Sequence, residues 1–394
     1  MKKIGYVIPT FPVLSETFVG VEMRAMMALG HAVQPFAFEA SAQCQVDDQA
    51  LAAQCEYIPS RLDLSASRYM LRWKAAHNFI NQQQGYRYRS LLKQGAILAS
   101  LADKHGCDHL HAHFAWHSAA VAIVAAQLCG ISVSFVGHGA DIYRGPQDLS
   151  AKLQHVDFAV AVTRQMQKEL RTLTSRPVHY VACGLEREKI PPLPSQWQPD
   201  QHFVFVGRLV EKKDLGLLLH ALKSVESARL DIVGDGPLRE RLESWIAELD
   251  LGDRVRCFGA QPKSWFINHA QQYRALVAPF CIATDGDRDT GPLVVKEAMA
   301  LGLPVITTNL PGCNEILTAQ SGTRVPMGDQ QQLAQAMRSV LSAPITQLYA
   351  MRKNAYQRVF EHYSSEQHAA TLSRCIEGVD EVATPLEPEH ASLT

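Results

Sequence analysis

The chain has 394 residues, a formal net charge of -1, and hydrophobic and charged fractions of 47% and 20%. These values are typical of a soluble globular protein with two domains, and they exclude a strongly basic nucleic-acid-binding protein. Nine cysteines without a C-x-x-C pair predict a reduced cytoplasmic protein that has no structural zinc site.

No apolar run reaches the roughly 18 residues that a membrane-spanning helix requires. The chain begins MKKIGYVIPTFPV, a short charged flank followed by an apolar run that glycine and proline interrupt. This pattern predicts a first strand rather than a signal peptide. Any contact with a membrane is therefore expected to be peripheral.

The chain opens with a βαβ pattern. An apolar run at 4–8 predicts a buried parallel strand, residues 18–29 carry apolar side chains at helical spacing, and 31–38 predicts a second strand. Sheets of this kind bind ligands beyond the carboxyl ends of their strands. Ser15 and Glu16 lie in the loop after the first strand, and Ser15 is expected either to cap the helix or to contact a substrate.

A basic segment at 61–93 differs in composition from the rest of the chain. The segment is rich in cations and aromatic residues, and its only acidic residue is Asp63. The cations are Arg61, Arg68, Arg72, Lys74, Arg87, Arg89 and Lys93, and the aromatic residues between them are Tyr69, Trp73, Phe79, Tyr86 and Tyr88. Two interpretations stay open. The segment is either a solvated helix pair with aromatics in its core, or a surface that meets anionic lipid or a phosphate-bearing acceptor.

Histidines cluster around the strand predicted at 109–114. His111 and His113 are two apart and share one face of this strand. Their spacing to His117 matches no closed zinc pattern, and no carboxylate or cysteine follows, so no metal site is expected here. His138 follows the next predicted strand between two glycines, and it is either a substrate contact or a hydrogen-bonded loop histidine.

Prolines between 191 and 199 form a stiff segment that is the best domain boundary in the chain. A second sheet is predicted to begin at 202, with the sequence FVFVGRLVEKKD. Here a strand and Gly207 precede Arg208 and Lys213, and a helix follows. Because two cations at the top of a strand can clamp a diphosphate, this arrangement predicts a phosphate-binding loop that is not a Walker motif.

The stretch 285–315 combines an acidic, glycine-rich loop with a helix and a buried strand. Pro292 suits the first turn of the helix, and bare N–H groups after a glycine loop form a ready anion site. Asp289 and Glu297 place two carboxylates near this site. Carboxylates would repel an anion bound at this site. Their presence is explained if they accept hydrogen bonds from the hydroxyl groups of a sugar or ribose.

These motifs resemble those of the retaining GT-B glycosyltransferases of family 4, especially the enzymes that build exopolysaccharide. The matching elements are P-x-x-SETF, HG-x-D-I, GRL-x-x-x-K and an E-x7-E signature in which Asp289 stands in the place of the first Glu. The resemblance covers nearly the whole chain and is strongest at 202–318. Departures occur at Cys183 and Leu185, in a turn that the family writes N-G-V-D, and at Asp214, where the family has glycine.

The resemblance implies an α/β GT-B fold, in which two Rossmann-like parallel-sheet domains face a central cleft. The implied divisions are an acceptor-side domain at 1–190, a linker at 191–200, a nucleotide-sugar-binding domain at 201–362, a helix at 363–383 that crosses back to the first domain, and a loose tail at 384–394.

The resemblance also implies the site residues. Arg208 and Lys213 would bind the diphosphate, Glu297 the ribose and Asp289 the donor sugar, and His138 would complete the catalytic set. Substrate contacts are implied for Ser15, Glu16, His113, Asp141, Gly207, Ala260, Gln261, Gly291, Pro292, Leu293 and Val294. No metal ion and no cofactor are expected.

The implied activity is that of a retaining, metal-independent hexosyltransferase. It would move a sugar from a UDP- or GDP-linked donor to a glycan or polyprenyl-linked acceptor in surface-polysaccharide or lipopolysaccharide biosynthesis. The expected location is the cytoplasm or the inner face of the membrane, with peripheral contact through 61–93 and no nucleic-acid partner. A GT-B sugar-nucleotide epimerase and a non-catalytic sugar-nucleotide-binding relative remain alternatives.

Overall fold

The structure is a computed structural model that describes residues 1–378. Within this range the chain forms two β-sheets, and every strand pairing in both sheets is parallel. The predicted α/β class with two Rossmann-like parallel-sheet units is confirmed. The predicted tail at 384–394 and the last residues of the helix predicted at 363–383 lie outside the described residues.

The first sheet has the strand order β3-β2-β1-β4-β5-β6-β7 within the described chain. Its strands β1 to β7 are Lys3–Thr10, Ala32–Glu39, Glu56–Tyr57, His109–His113, Ser132–Gly137, Phe158–Ala161 and Val178–Tyr180. The helices α1 to α9 that accompany it are Thr17–Ala28, Gln49–Gln54, Leu64–Met70, Trp73–Asn81, Tyr88–Lys104, His117–Cys129, Ala140–Tyr143, Leu149–Gln154 and Arg164–Arg171.

The second sheet has the order β10-β9-β8-β11-β12-β13 in the same range. Its strands β8 to β13 are His202–Val206, Arg229–Val233, Val255–Cys257, Ala275–Ala278, Val305–Thr308 and Thr323–Val325. Helices α10 to α17 are Leu215–Lys223, Arg239–Glu248, Lys263–His269, Leu293–Ala300, Pro311–Ile316, Gln330–Ser342, Ile345–His362 and Ser365–Glu377.

The central strands are apolar runs because a parallel sheet is covered on both faces. Ile4, Val7 and Ile8 of β1 and Phe203 and Phe205 of β8 are fully buried. The strand order reverses between β1 and β4 in the first sheet and between β8 and β11 in the second. Such reversals open a crevice at the carboxyl ends of the strands, so the loops after these strands are the expected ligand-binding loops.

The proline-rich segment is anchored to the second sheet rather than suspended between the two. Trp197 is buried in the core of that half of the chain. The Arg352 guanidinium lies 4.0 Å from the centre of the Trp197 ring, and the Tyr349 hydroxyl donates to the Ser195 carbonyl oxygen at 3.0 Å. The domain limits at 190 and 200 stay a prediction, although the segment has a fixed path.

The last described helix, α17, packs on the first sheet's side of the molecule. The Leu185 N–H donates to the Tyr363 carbonyl oxygen at 2.8 Å, which brings the chain back to the first half. Ala369 and Leu372 then enter the core that surrounds β1 and α1. Two halves that share this helix are tied together independently of any ligand.

No helix among residues 1–378 is long and apolar enough to cross a membrane. The nine cysteines all lie among residues 1–378, and no disulfide bond links any of them.

Candidate active site between the two sheets

The loops after β5, β8 and β11 bring most of the predicted catalytic residues together. The Thr290 hydroxyl, from the loop after β11, donates a hydrogen bond to the carbonyl oxygen of His138, after β5. Asp285 of the same loop forms an ion pair with Arg144 at 2.6 Å. These contacts join the carboxyl ends of the two sheets, so the predicted donor-binding loop and the predicted histidine lie at one cleft.

His138 is held by aromatic and imidazole neighbours. Its Nε2 lies 3.0 Å from His113 Nδ1, and its ring centre is 4.4 Å from that of Phe18 and 4.8 Å from that of Phe114. Burial, reinforced by the charge that His113 can carry, holds the pKa of His138 well below its ordinary value. The ring is therefore neutral at neutral pH and acts as a hydrogen-bonding group rather than as a cation.

Asp141 shapes the loop that carries His138. Its carboxylate accepts hydrogen bonds from the backbone N–H groups of His138 at 2.9 Å, Gly139 at 2.8 Å and Ala115 at 2.8 Å. The side chain is fully buried. These contacts assign Asp141 to positioning His138, whereas the sequence had suggested a direct substrate contact.

Gly207, Arg208 and Lys213 follow β8 as predicted. The Lys213 ammonium lies 2.9 Å from Asp289 Oδ2 and 4.5 Å from the centre of the Phe280 ring, so Lys213 and the acidic loop meet directly. Arg208 is exposed, and among residues 1–378 its guanidinium has no hydrogen-bond or ion-pair partner. An unpaired cation beside a buried one is suited to receiving an anionic ligand.

Glycine is required where the loop after β9 crosses the one after β8. A Cβ on Gly234 would lie 1.8 Å from the Gly207 carbonyl oxygen. Asp214, which replaces the family's glycine, adopts φ of 45° in the left-handed region. Its side chain accepts a hydrogen bond from the Leu217 N–H at 3.3 Å and caps α10, so the cap offsets the backbone strain.

The acidic loop is already matched with cations. Asp287 pairs with Lys212 at 3.1 Å, alongside the two ion pairs made by Asp285 and Asp289. The loop also packs closely on α14, since a Cβ on Gly312 would lie 1.6 Å from the Thr290 carbonyl oxygen. This close contact explains the glycine in the sequence after β12.

Glu297 lies on α13, eight residues after Asp289, and its Oε1 is 3.2 Å from Lys263 Nζ. Lys263 begins α12, directly after the turn with Ala260 and Gln261, where the family resemblance implies backbone contacts with the nucleotide base. Gln261 donates to the Phe258 carbonyl oxygen at 2.9 Å, which fixes this turn at the end of β10. The predicted ribose and base contacts are therefore neighbours.

Gly291, Pro292, Leu293 and Val294 form the start of α13. Pro292 is the residue before the helix rather than its first residue, and its φ of -58° suits that position. Pro292 is buried, whereas Gly291, Leu293 and Val294 are half-buried. The backbone N–H groups of the first turn thus lie next to Asp289 in the chain, where the predicted anion site was placed.

The first loop is also at the cleft. Ser15 is exposed, and α1 begins at Thr17 without a side-chain cap, so the capping interpretation of Ser15 is wrong. Burial raises the pKa of the Glu16 carboxyl, while the neighbouring His113 imidazole and Arg208 guanidinium oppose that shift. Glu16 therefore lies between the two halves, close to Arg208.

The sequence interpretation missed Glu22 and His368, and it gave His111 no role beyond sharing a strand face with His113. His368 Nε2 on α17 lies 2.8 Å from Glu22 Oε2, and Glu22 Oε1 lies 3.4 Å from Nε2 of both His111 and His113. All four side chains are buried. Glu22 is a charged residue at a helix position that is otherwise filled by apolar side chains. This pattern was the available sequence signal for a buried functional carboxylate. His113 reaches the cleft only through His138.

Comparisons with known proteins agree with this geometry. Residues 190–358 match the family model "Glycosyl transferases group 1". The chain is 26% identical over 366 residues to the amylovoran biosynthesis glycosyltransferase AmsK of Erwinia amylovora, covering 84% of this chain and 89% of AmsK. It is 31% identical over 196 residues to the lipopolysaccharide core biosynthesis glycosyltransferase LpsD of Rhizobium meliloti, covering 48% of this chain and 55% of LpsD.

The fold is also found among solved structures. HepE of Anabaena in complex with UDP-glucose superimposes with a TM-score of 0.74, over 96% of this chain and 100% of HepE, at 14% identity. At that identity the likeness concerns the fold alone. It agrees with the arrangement of two parallel sheets around a cleft.

Proposed function

We propose that the chain is a glycosyltransferase that builds a surface polysaccharide or a related glycoconjugate, and the match of residues 190–358 to the glycosyl transferases group 1 model supports this proposal. It would transfer a sugar from a nucleotide-diphosphate donor to a glycan or polyprenyl-linked acceptor, with retention of the anomeric configuration as in family 4. The observation that carries this proposal is a pair of contacts made by the acidic loop: Asp289 pairs with Lys213, which follows β8, and the adjacent Thr290 donates a hydrogen bond to the His138 carbonyl oxygen.

Charge placement explains how this cleft would act. Cleavage of the bond between the anomeric carbon and the diphosphate oxygen leaves cationic character on the sugar and negative charge on the diphosphate. Fixed cations aimed at the diphosphate stabilise this transition state more than the ground state. Arg208, Lys213 and the first N–H groups of α13 supply that stabilisation. Lys213 would exchange part of its contact with Asp289 for the diphosphate.

The remaining residues would orient the donor. Glu297 is assigned to the ribose hydroxyls, next to the base-binding turn at Ala260 and Gln261. Asp289 and the neutral ring of His138 are assigned to the donor sugar. No side chain is placed as a dedicated base, and the leaving phosphate would take the proton of the attacking acceptor hydroxyl.

The test is thermal-shift screening of the full chain with UDP- and GDP-linked sugars. A ligand at about 100 times its dissociation constant adds roughly 2.7 kcal/mol to the free energy of unfolding. Stabilisation by one nucleotide sugar and its nucleotide diphosphate supports the proposal. The absence of a shift with every donor would contradict it. HepE was solved with UDP-glucose, which makes that donor the first to test.

Transfer is expected to proceed without added divalent cations, because each aspartate of the acidic loop already faces a cation: Asp285 faces Arg144, Asp287 faces Lys212 and Asp289 faces Lys213. Initial rates should be equal in EDTA and in magnesium. A complete loss of transfer in EDTA that magnesium restores would show that the loop binds a metal ion with the diphosphate.

We also propose peripheral membrane contact through 61–93, on the inner face of the membrane. Leu64 and Leu71 flank α3, and their side chains are 92% and 82% exposed. Arg87 and Arg89 at the start of α5 are exposed as well. Protruding apolar side chains and exposed cations within one segment suit a surface of anionic lipid. Arg68 and Arg72 serve the fold instead, since they contact Asp103 and the Leu128 carbonyl oxygen.

Replacing Arg87 and Arg89 with alanine is expected to weaken binding to phosphatidylserine-containing vesicles by about 1 kcal/mol per charge. Replacing Leu64 and Leu71 with serine should weaken it further because their burial in lipid is lost. Sedimentation with vesicles measures both effects, with Ile345→Ser as an exposed apolar control in the second half of the chain. Unchanged sedimentation of all variants would leave 61–93 as a solvated helix pair.

A further inference from the structure

Buried polar atoms from three elements converge beneath His138. Glu22 Oε1 on α1, Nε2 of His111 and His113 on β4, and the Tyr6 hydroxyl on β1 are all buried and face one another, and none of them makes a hydrogen bond of standard geometry within the described chain. His111, His113 and Tyr6 are fully inaccessible, and Glu22 is 4% exposed. Leaving buried polar groups without partners is unfavourable, so a cluster of such atoms indicates that something occupies the space between them.

The spacing of these atoms matches a metal-binding site. Glu22 Oε1 lies 3.4 Å from each histidine Nε2, and the three ligand atoms all lie within 4.8 Å of one another. Ligands about 2.0–2.1 Å from a tetrahedral zinc ion are separated by about 3.3–3.4 Å. The separations from Glu22 are longer than ordinary hydrogen bonds and fit ligands around one central ion.

The other heteroatom of each ligand has its own partner. His111 Nδ1 lies 2.7 Å from the Ser134 hydroxyl, and His113 Nδ1 lies 3.0 Å from His138 Nε2. Glu22 Oε2 lies 2.8 Å from His368 Nε2. Metal-bound histidines characteristically donate their second N–H to such a partner, which fixes the tautomer that leaves Nε2 free for the ion.

We propose that Glu22, His111 and His113 bind a divalent transition-metal ion, zinc by ligand type and spacing, with the Tyr6 hydroxyl or a water as a fourth ligand. The carboxylate comes from α1, some 90 residues before the histidines. The sequence pattern predicted no metal site because only residues that follow the histidines were considered as further ligands. This ion is separate from the diphosphate and touches no substrate.

The site has a consequence for His138. With His113 Nε2 on the ion, its Nδ1 carries the proton and donates to His138 Nε2. His138 then carries its own proton on Nδ1, because a neutral imidazole has one donor and one acceptor nitrogen. Glu22, His111 and His113 are therefore positioning residues for His138.

The experiment measures metal in the purified full chain after production in zinc-supplemented medium. The folded protein is first dialysed against EDTA to remove surface ions. It is then unfolded in guanidinium chloride, and released metal is measured by mass spectrometry. About one ion per chain is expected, released only on unfolding. Less than about a tenth of an ion per chain would overturn the proposal.

Variants locate the ion. The double variant His111→Gln/His113→Gln is expected to lose the metal, whereas His31→Gln should keep it. His31 is a matched control because it is buried and both of its ring nitrogens have partners outside the cluster, the Lys2 N–H at 3.1 Å and the Ser373 hydroxyl at 2.8 Å. Equal metal content in the double variant and the wild type would place the ion elsewhere and overturn the assignment.

X-ray absorption of the wild type keeps the test independent of whether the variants fold. Two imidazole ligands with oxygen in the remaining positions are expected around the ion. A sulfur-containing or fully hydrated shell would contradict the site. The outcome is separate from the donor-site proposal, which is tested by nucleotide-sugar binding.

Discussion

Replacing Arg208 with alanine is expected to reduce kcat by about 10²–10³ and to change the donor KM far less. Arg208 is exposed at the end of β8 without a protein partner among residues 1–378, so its removal leaves no buried charge behind. The loss would therefore report on stabilisation of the developing diphosphate charge rather than on folding. Steady-state kinetics with saturating acceptor separates the two constants.

Lys213→Ala is expected to lower kcat by a similar factor, with an added effect on stability. Its ammonium is 2.9 Å from Asp289 and packs on Phe280, so the substitution leaves the Asp289 carboxylate without its counter-ion. Lys213→Met would keep the packing and isolate the loss of charge. Arg229→Ala is the matched control, because Arg229 is an exposed cation at the amino end of β9, away from the cleft.

Wild-type turnover in both Arg208→Ala and Lys213→Ala would contradict the diphosphate assignment. A sugar-nucleotide-binding protein without transfer activity would then be the better explanation of the cleft. A shared increase in KM with unchanged kcat would mean that these cations hold ground state and transition state equally well.

Asp289→Asn is expected to impair transfer without weakening the binding of nucleotide diphosphate, because the substitution releases Lys213 from its ion pair. Hydrogen bonds to charged groups contribute about 1.5–3 kcal/mol, so kcat should fall by about 10- to 100-fold if Asp289 holds the donor sugar. Asp289 is a methylene shorter than the glutamate of the resembling family, and its contact with Lys213 places it at the diphosphate end of the cleft. Calorimetric titration with the nucleotide diphosphate supplies the binding control.

Glu297→Gln should behave differently. The ribose hydroxyls do not change charge during transfer, so weaker hydrogen bonds should raise the donor KM more than they lower kcat. Glu297 also faces Lys263 at 3.2 Å, and Lys263→Gln therefore tests whether the pair acts together. An opposite split, with Asp289→Asn raising KM alone and Glu297→Gln lowering kcat alone, would reverse the two assignments.

Much of the fold was predictable because the strands are short apolar runs separated by helices. The strands predicted at 4–8 and 109–114 are observed as Lys3–Thr10 and His109–His113. The short strand Thr323–Val325 and the helix Lys263–His269 were missed, since neither carries a long periodic pattern. Whether such short segments form a helix or a strand depends on contacts with residues that are distant in the sequence.

The candidate site was predictable only for residues whose position follows from a local sequence motif. Arg208, Lys213 and Asp289 follow strand ends that any doubly wound sheet places at one edge. The burial of Asp141 was not predictable, because it depends on three backbone N–H groups that the fold brings to one carboxylate. Likewise, Glu22 and His368 are 346 residues apart and meet only because α17 returns to α1.

The most direct test of the account is release of nucleotide diphosphate from a panel of UDP- and GDP-linked sugars, by the wild type and by Arg208→Ala, with and without a lipid-linked glycan acceptor. The account predicts release from one donor by the wild type, acceleration by acceptor, and a loss of about 10²–10³ in the variant. Binding of nucleotide diphosphate without release from any donor would contradict it.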